Sequence, residues 1–190
     1  MTRRHLISIL FAIVLLWSPA QPAARAEQSN EYKVKAALIF KFLQFVEWPG
    51  DSAPPGSAPA GTSAPADHGA IVIATVGKDP FDGALEQTVA GKLVGGKHLV
   101  VKHFANVGEV EKCQVLFVSS SAGAEFAGAL SKTGPVGVLT VGETEQFLDE
   151  GGIIRIFEQD GKLRFEISQD AAARARIQIS SKLLRLAKLR

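Results

Sequence analysis

The sequence predicts an α/β fold: one compact domain with a mixed β-sheet flanked by helices, preceded by a signal peptide. Three observations carry this expectation. Strand-like apolar runs alternate with helical segments from Gly69 onward, Asp160-Gly161 separates two strand patterns near the C-terminus, and a wide apolar helix precedes them all. The chain of 190 residues is 46% hydrophobic and 21% charged, which suits one domain and excludes a wholly disordered one.

The N-terminus reads as an address. Arg3 and Arg4 form a short basic region, an apolar run follows from Leu6 to Trp17, and Ala24-Arg25-Ala26 supplies small residues at both cleavage-determining positions. Residues 1–26 therefore read as a secretory signal peptide, with an apolar core short of the roughly 20 residues that a membrane span needs. Its removal leaves residues 27–190 with 18 Lys+Arg against 19 Asp+Glu, a net charge of −1, so the +2 of the whole chain belongs to the export signal. A near-neutral exported domain gives no reason to expect nucleic-acid binding, which shows as a strongly basic surface. The lone Cys113 excludes a disulfide within the chain and any Cys-pair zinc motif.

Each element has its own signal. Glu31 to Trp48 reads as a helix with Asn30 as N-cap: Val34, Leu38, Phe42 and Phe45 recur at helical spacing, Ile39, Leu43 and Val46 widen the stripe, and Trp48-Pro49 stops it. Residues 49–69 hold five prolines, four glycines and no large apolar residue, the composition of a disordered insert that tethers the helix to the body of the domain. The aromatic face of the helix must then be buried on its own domain or on a neighbour. Ala70–Val76 is a buried-type strand, and Asp79-Pro80 starts a helix from Phe81 to Val89. Strands are expected at Lys92–Val94, His98–Phe104, Gln114–Val118 and Val136–Val141, with helices at Ala122–Leu130 and Glu143–Glu150. Ile153–Phe157 and Leu163–Ile167 form a hairpin around Asp160-Gly161. Helical material runs from Asp170, with Ser180-Ser181 capping a last helix over Lys182–Lys188.

Most chemistry-bearing patterns fail. Gly77-Lys78-Asp79-Pro80 meets no phosphate-loop pattern, and its two acids, Asp79 and Asp82, stand where an anion would sit. His98 and His103 are five apart on one strand and face opposite ways, so no metal site is expected. Ser119-Ser120-Ser121 lacks a nucleophile elbow and reads as a strand-to-helix turn. Cys113 precedes an apolar strand and reads as a buried structural thiol. No cofactor is implied.

Two features remain. Arg164 and Glu166 share one face of their strand while Leu163, Phe165 and Ile167 share the other, which leaves either an inward ion pair or ligand site or an outward solvated pair. Arg174, Arg176, Lys182, Arg185 and Lys188 gather near the C-terminus. There they serve the helix dipole or face an acidic partner or an anionic lipid surface.

Several stretches together resemble the YfiR family of periplasmic proteins. They are Glu31-Tyr32-Lys33-Val34-Lys35-Ala36-Ala37 through Phe45-Val46-Glu47-Trp48-Pro49, Asp79-Pro80-Phe81, Cys113-Gln114-Val115-Leu116-Phe117 and Val138-Leu139-Thr140-Val141-Gly142. Gly151-Gly152-Ile153-Ile154, Arg164-Phe165-Glu166-Ile167 and Ile179-Ser180-Ser181-Lys182-Leu183-Leu184-Arg185-Leu186-Ala187 complete the set, in family order from residue 31 to 188. The resemblance implies a small mixed α/β dimer in the periplasm. Such proteins repress a membrane-bound diguanylate cyclase by binding its extracytoplasmic sensor region, and so lower cyclic-di-GMP and biofilm formation. Cys113 stands alone where the redox-responsive member has cysteine pairs, so no redox switch within the chain is expected.

The expectation is thus a non-enzymatic periplasmic regulator whose partner is an inner-membrane signalling protein, with a homodimer as its own assembly. Candidate partner or dimer contacts are Phe42, Phe45, Glu47, Trp48, Lys182 and Arg185. A small-molecule-binding module with a cleft near Trp48, Arg164 and Glu166 is the alternative, and a secreted hydrolase using Ser119–Ser121 a third reading.

Overall fold

The computed structural model describes residues 22–49, 69–130 and 136–190. Most of the expected signal peptide (residues 1–21) and the body of the expected insert (residues 50–68) lie outside the described residues. The architecture is α/β as expected, one domain in which a mixed sheet is sandwiched between helices.

Among the described residues ten strands form two sheets. β1 (Val46–Glu47) pairs antiparallel with β9 (Gln178–Ile179). The main sheet has eight strands in the order β10-β8-β7-β6-β5-β2-β4-β3. Its parallel centre is β2 (Ile71–Val76), β4 (Lys97–Phe104), β5 (Val115–Val118), β6 (Leu139–Gly142) and β7 (Ile154–Gln159). β3 (Leu93–Val94) closes one edge. β8 (Lys162–Ile167) returns antiparallel to β7, and β10 (Lys188–Leu189) lies parallel to β8 at the other edge. The β7–β8 hairpin turns at Asp160 and Gly161, both at positive φ (54° and 69°), as its Asp-Gly signal demands.

Residue alternation along the strands builds two apolar layers. Ile73, Phe117, Val141, Ile154 and Ile167 face α1 (Pro22–Leu43), α2 (Ala84–Val89) and α4 (Gln169–Arg174). Ala74, Leu116 and Val118 face α3 (Gly123–Leu130) and the turns over residues 143–150, where Phe126 stacks on Phe147. A short helix α5 (Ser181–Leu184), capped by Ser180 Oγ accepting from the Lys182 N–H, leads to β10.

The structure corrects several expected boundaries. α1 starts at Pro22, so the expected cleavage point after Ala26 falls in its first turns, and it runs through Asn30, which is no N-cap. It stops at Leu43 rather than Trp48. Gln44 and Phe45 tighten into three-residue turns on Lys41 and Phe42, and the next residues extend to pair with β9. The buried stripe is Tyr32, Lys35, Ala36, Ile39, Phe42 and Leu43, rotated from the expected one, and Val34 is exposed. Asp79 caps only a local turn through the Phe81 N–H (3.0 Å). Asp82 and Gly83 then take positive φ, and α2 begins at Ala84. Glu143–Glu150 makes turns rather than a helix, because Phe147 is driven inward between Gly142 and Gly152. A Cβ on either glycine would lie within 2.4 Å of the Phe147 ring. The last expected helix ends at Leu184 because the chain is recruited as an edge strand.

Two contacts fix the ends of the expected insert. The carbonyl of Gln114 accepts from Trp48 Nε1 (3.2 Å), and its side-chain Oε1 accepts from the Val72 N–H (2.8 Å). The helix before the insert is therefore packed on its own sheet.

Candidate functional site

The strand order places a topological switch between β2 and β5: from β2 the chain moves to β4 on one side, then crosses to β5 on the other. In open parallel sheets the crevice beyond the carboxyl ends of such strands is the usual ligand site. Here it is filled from within. Gly77, at φ 89°, packs so closely that a Cβ would lie 2.5 Å from Ser119 Oγ and 2.6 Å from Ser121 Oγ. The two serines hydrogen-bond each other (2.8 Å), and Ser121 Oγ accepts from the Lys78 N–H (2.9 Å).

α1 covers this crevice. Tyr32 stands edge-on to Phe81 (5.4 Å), and Lys35 Nζ lies 2.5 Å from Glu143 Oε1 and 2.6 Å from Glu31 Oε1. Glu143 Oε2 also accepts from Tyr32 Oη (3.3 Å) and from the Ser120 N–H (3.3 Å). Burial, reinforced by the Glu143 charge, pushes the Tyr32 hydroxyl up to about 12. Burial alone would lower Lys35, yet the hydrogen bonds to Glu143 and Glu31 carry it above its ordinary value. The network is a closed structural seal. His103, whose ring nitrogens are engaged by Thr75 Oγ1 (2.6 Å) and Glu86, is no general base for Ser119, which is already hydrogen-bonded to Ser121.

An open polar cleft of about 510 Å³ lies at the other side of the sheet, lined by Glu145, Asp149, Arg155, Glu166, Lys188 and Arg190 among others. Glu166 is buried and held by Lys188 Nζ (2.9 Å) and Arg155 (3.6 Å), while Arg190 bonds Asp149 (3.0 Å). The Arg155 guanidinium also lies over the Phe157 ring, and its Nε has no partner among the described residues. Both signs of charge line the cleft, and they pair largely with one another. Among the described residues no cluster of His, Cys, Asp and Glu is arranged for a metal.

The residues singled out from sequence divide sharply. Phe42 packs on Phe165 (5.1 Å) and is buried, as is Trp48, so the core consumes both and neither is free for a partner. Phe45 is half-buried, and Glu47, Lys182 and Arg185 are exposed. The β1–β9 pair joins their segments directly: Val46 faces Ile179, Glu47 faces Gln178, and the Ser180 N–H donates to the Phe45 carbonyl (2.9 Å). Trp48 is not brought to Glu166. It sits below the start of β5, whereas Glu166 is level with the end of β6 three strands away, a separation of more than about 15 Å from strand rise and spacing. Arg164 is exposed, and Glu166 takes Arg155 and Lys188 as partners instead. Cys113 is buried, and burial raises its thiol to about 11.

Sequence reasoning missed the Lys35–Glu143 pair. Its signal was present: Lys35 stands three residues from Tyr32 and four from Ile39, on the stripe that the helix buries. No helix among the described residues is long and apolar enough to cross a membrane.

No curated protein sequence matches this chain. A solved structure, titled a conserved domain protein from Vibrio cholerae O1 biovar El Tor, superimposes with a TM-score of 0.50 at 14% identity, a likeness of fold. That match covers 83% of this chain and 59% of the Vibrio chain, so this protein spans about three-fifths of its length. The family model described as YfiR/HmsC-like (DUF4154) matches residues 32–188, from Tyr32 in the seal over the crevice to Lys188 in the polar cleft. The family is one of periplasmic, non-catalytic regulators of diguanylate cyclase. With the match running from Tyr32 on α1 to the edge strand β10, this chain belongs to the YfiR/HmsC-like family.

Proposed function

We propose that this protein is exported by its N-terminal signal to the periplasm, binds the extracytoplasmic sensor region of a membrane-bound diguanylate cyclase, and holds that enzyme inactive. Binding needs no chemistry: it shifts the receptor toward the state for which the regulator has the higher affinity. The observation that carries this reading is the β1–β9 junction. It unites the two segments nominated for recognition and leaves Glu47, Lys182 and Arg185 exposed around a half-buried Phe45. A homodimer is part of the proposal, built on the same isologous logic as most small soluble assemblies. The test is capture of the detergent-solubilised cyclase by the protein, with cyclic-di-GMP measured in cells expressing both. Glu47→Lys should reduce capture and raise cyclic-di-GMP, and capture of no inner-membrane signalling protein would overturn the reading.

A second reading is favoured by one observation, the cleft around Glu166 and Arg155 with its unpartnered Nε. There a small dipolar molecule would act as input to the regulator. Thermal-shift screening against charged envelope metabolites tests it. A stabilisation that Arg155→Leu abolishes supports the site, and no shift with any compound rejects it.

A further inference from the structure

The charge of this chain is unevenly placed. Residues 161–190 carry eight Lys and Arg against two Asp and Glu, whereas residues 27–160 carry ten against seventeen. The near-zero net charge thus conceals a strongly basic end on an acidic body, the asymmetry expected of a protein that meets an anionic surface.

Within that basic end the cations have two different fates. Lys188 and Arg190 are exposed but paired within the chain, with Glu166 and Asp149. Lys162, Arg164, Arg174, Arg176, Lys182 and Arg185 are exposed, and none has an ion-pair partner among the described residues. Lys182 lies in α5 and Arg185 caps its C-terminus, and beside them, in the stretch that leads to β10, stands Leu186, 73% exposed. Leu189, two residues into the edge strand, is 50% exposed. Leu186 is the most exposed large apolar side chain among the described residues, and it stands beside cations that have no ion-pair partner there. A protein partner would have to supply a pocket for a protruding leucine, whereas a bilayer interface accepts it anywhere along its surface while the cations meet the headgroups.

We propose that the α5–β10 turn, Lys182 to Leu189, is a peripheral docking surface for a bilayer containing anionic phospholipid. Leu186 enters the headgroup boundary, with Lys182 and Arg185 against phosphate groups. The proposal rests on the reading of the protein as a regulator acting at the inner membrane. It adds that the bilayer around the sensor region contributes to holding the regulator there, with Phe45 and Glu47 left for the protein contact. One shallow leucine and two cations give a weak, reversible, salt-sensitive association that the receptor contact strengthens by avidity.

Co-sedimentation of the exported, processed protein with vesicles tests it. Mixed phosphatidylethanolamine/phosphatidylglycerol vesicles should retain the protein at low salt, pure phosphatidylcholine vesicles should not, and added salt should release it. Lys182→Gln with Arg185→Gln should lower partitioning about 25-fold, from roughly fivefold per cation. Leu186→Ser should lower it severalfold on its own, with unchanged melting temperature in each variant because all three side chains are exposed. The proposal is overturned if the wild type fails to bind anionic vesicles, binds neutral ones equally, or is matched by the variants. Loss of receptor capture in detergent by the Lys182/Arg185 variant, without any vesicle binding by the wild type, would assign the surface to an acidic protein instead. Glu47→Gln separates the two readings: it should weaken receptor capture without weakening vesicle binding.

Discussion

Lys35 and Glu143, separated by 108 positions in the chain, meet at 2.5 Å in a hydrogen-bonded ion pair whose side chains are 6% and 9% exposed. One comes from the stripe that α1 presses onto the sheet, the other from the end of β6. Removing one partner strands the other charge out of water. Lys35→Ala, Lys35→Met and Glu143→Leu should therefore each cost about 3–5 kcal/mol, and Lys35→Met combined with Glu143→Leu should recover most of that loss. Urea denaturation of the two single variants and the double variant measures the coupling. A Lys35→Ala protein as stable as wild type would show that the pair contributes nothing.

Tyr32 is the only tyrosine in the chain, so phenolate absorbance reports on it alone. Its ionisation should be centred near 12 in the native protein and near 10 after denaturation. Glu143→Gln should move the native midpoint down, since the Glu143 charge and its hydrogen bond both raise it. Tyr32 and Lys35 are both raised on folding. The stability they add is therefore complete below about pH 10 and is lost as the pH climbs through their folded values. Thermal melts between neutral pH and pH 11 should show this alkaline decline, smaller in a Tyr32→Phe variant.

Cys113 is shielded and its thiol is raised to about 11, so the thiolate that reacts is scarce at neutral pH. Labelling by a charged thiol reagent should be slow in the native protein and immediate in denaturant. Oxidants should produce no disulfide-linked dimer. Rapid native labelling would contradict the burial. The sequence restricted Cys113 to partners in other molecules, and burial removes those as well.

Arg176 follows α4 in the left-handed conformation (φ 57°), with its N–H bonded to the Ala173 carbonyl and the Ile177 N–H bonded to the Ala172 carbonyl. This is the geometry in which glycine normally ends a helix. Arg176→Gly should raise stability by up to about 1 kcal/mol, or roughly 2–4 °C in melting temperature. Calorimetry decides it, and a lower melting temperature would show that the arginine side chain contributes more than its strained backbone costs.

Much of the fold was legible because period and turn chemistry are local. The buried runs of β2 and β5, the Asp160-Gly161 hairpin and the Ser180 cap are each dictated by neighbouring residues. What escaped depends on partners far away in sequence. Val46 and Glu47 look helical until Gln178 and Ile179 are beside them, and Lys188 and Leu189 until β8 is. Glu143–Glu150 has a helical pattern that Phe147, wedged between Gly142 and Gly152, overrides. In the site, exposure of Glu47, Lys182 and Arg185 agreed with the charges. Phe42 and Trp48 looked available because an aromatic stripe reads alike on a core helix and on a docking helix. Glu166 was noticed for Arg164, its strand neighbour, when its partners lay across the sheet on β7 and β10.

Gln114 receives Trp48 through its carbonyl and Val72 through its side chain, so the two flanks of residues 50–68 end on a single residue. The detour between them thus has both of its flanks anchored on one residue. The free energy of closing such a detour grows only logarithmically with its length, at about 0.6 kcal/mol per doubling. The chain can therefore lengthen, shorten or replace this stretch, or accept a reporter domain within it, with little loss of folding free energy. Gln114, rather than the stretch itself, ties Trp48 to Val72, while the buried stripe of α1 and its Lys35–Glu143 pair keep the helix seated.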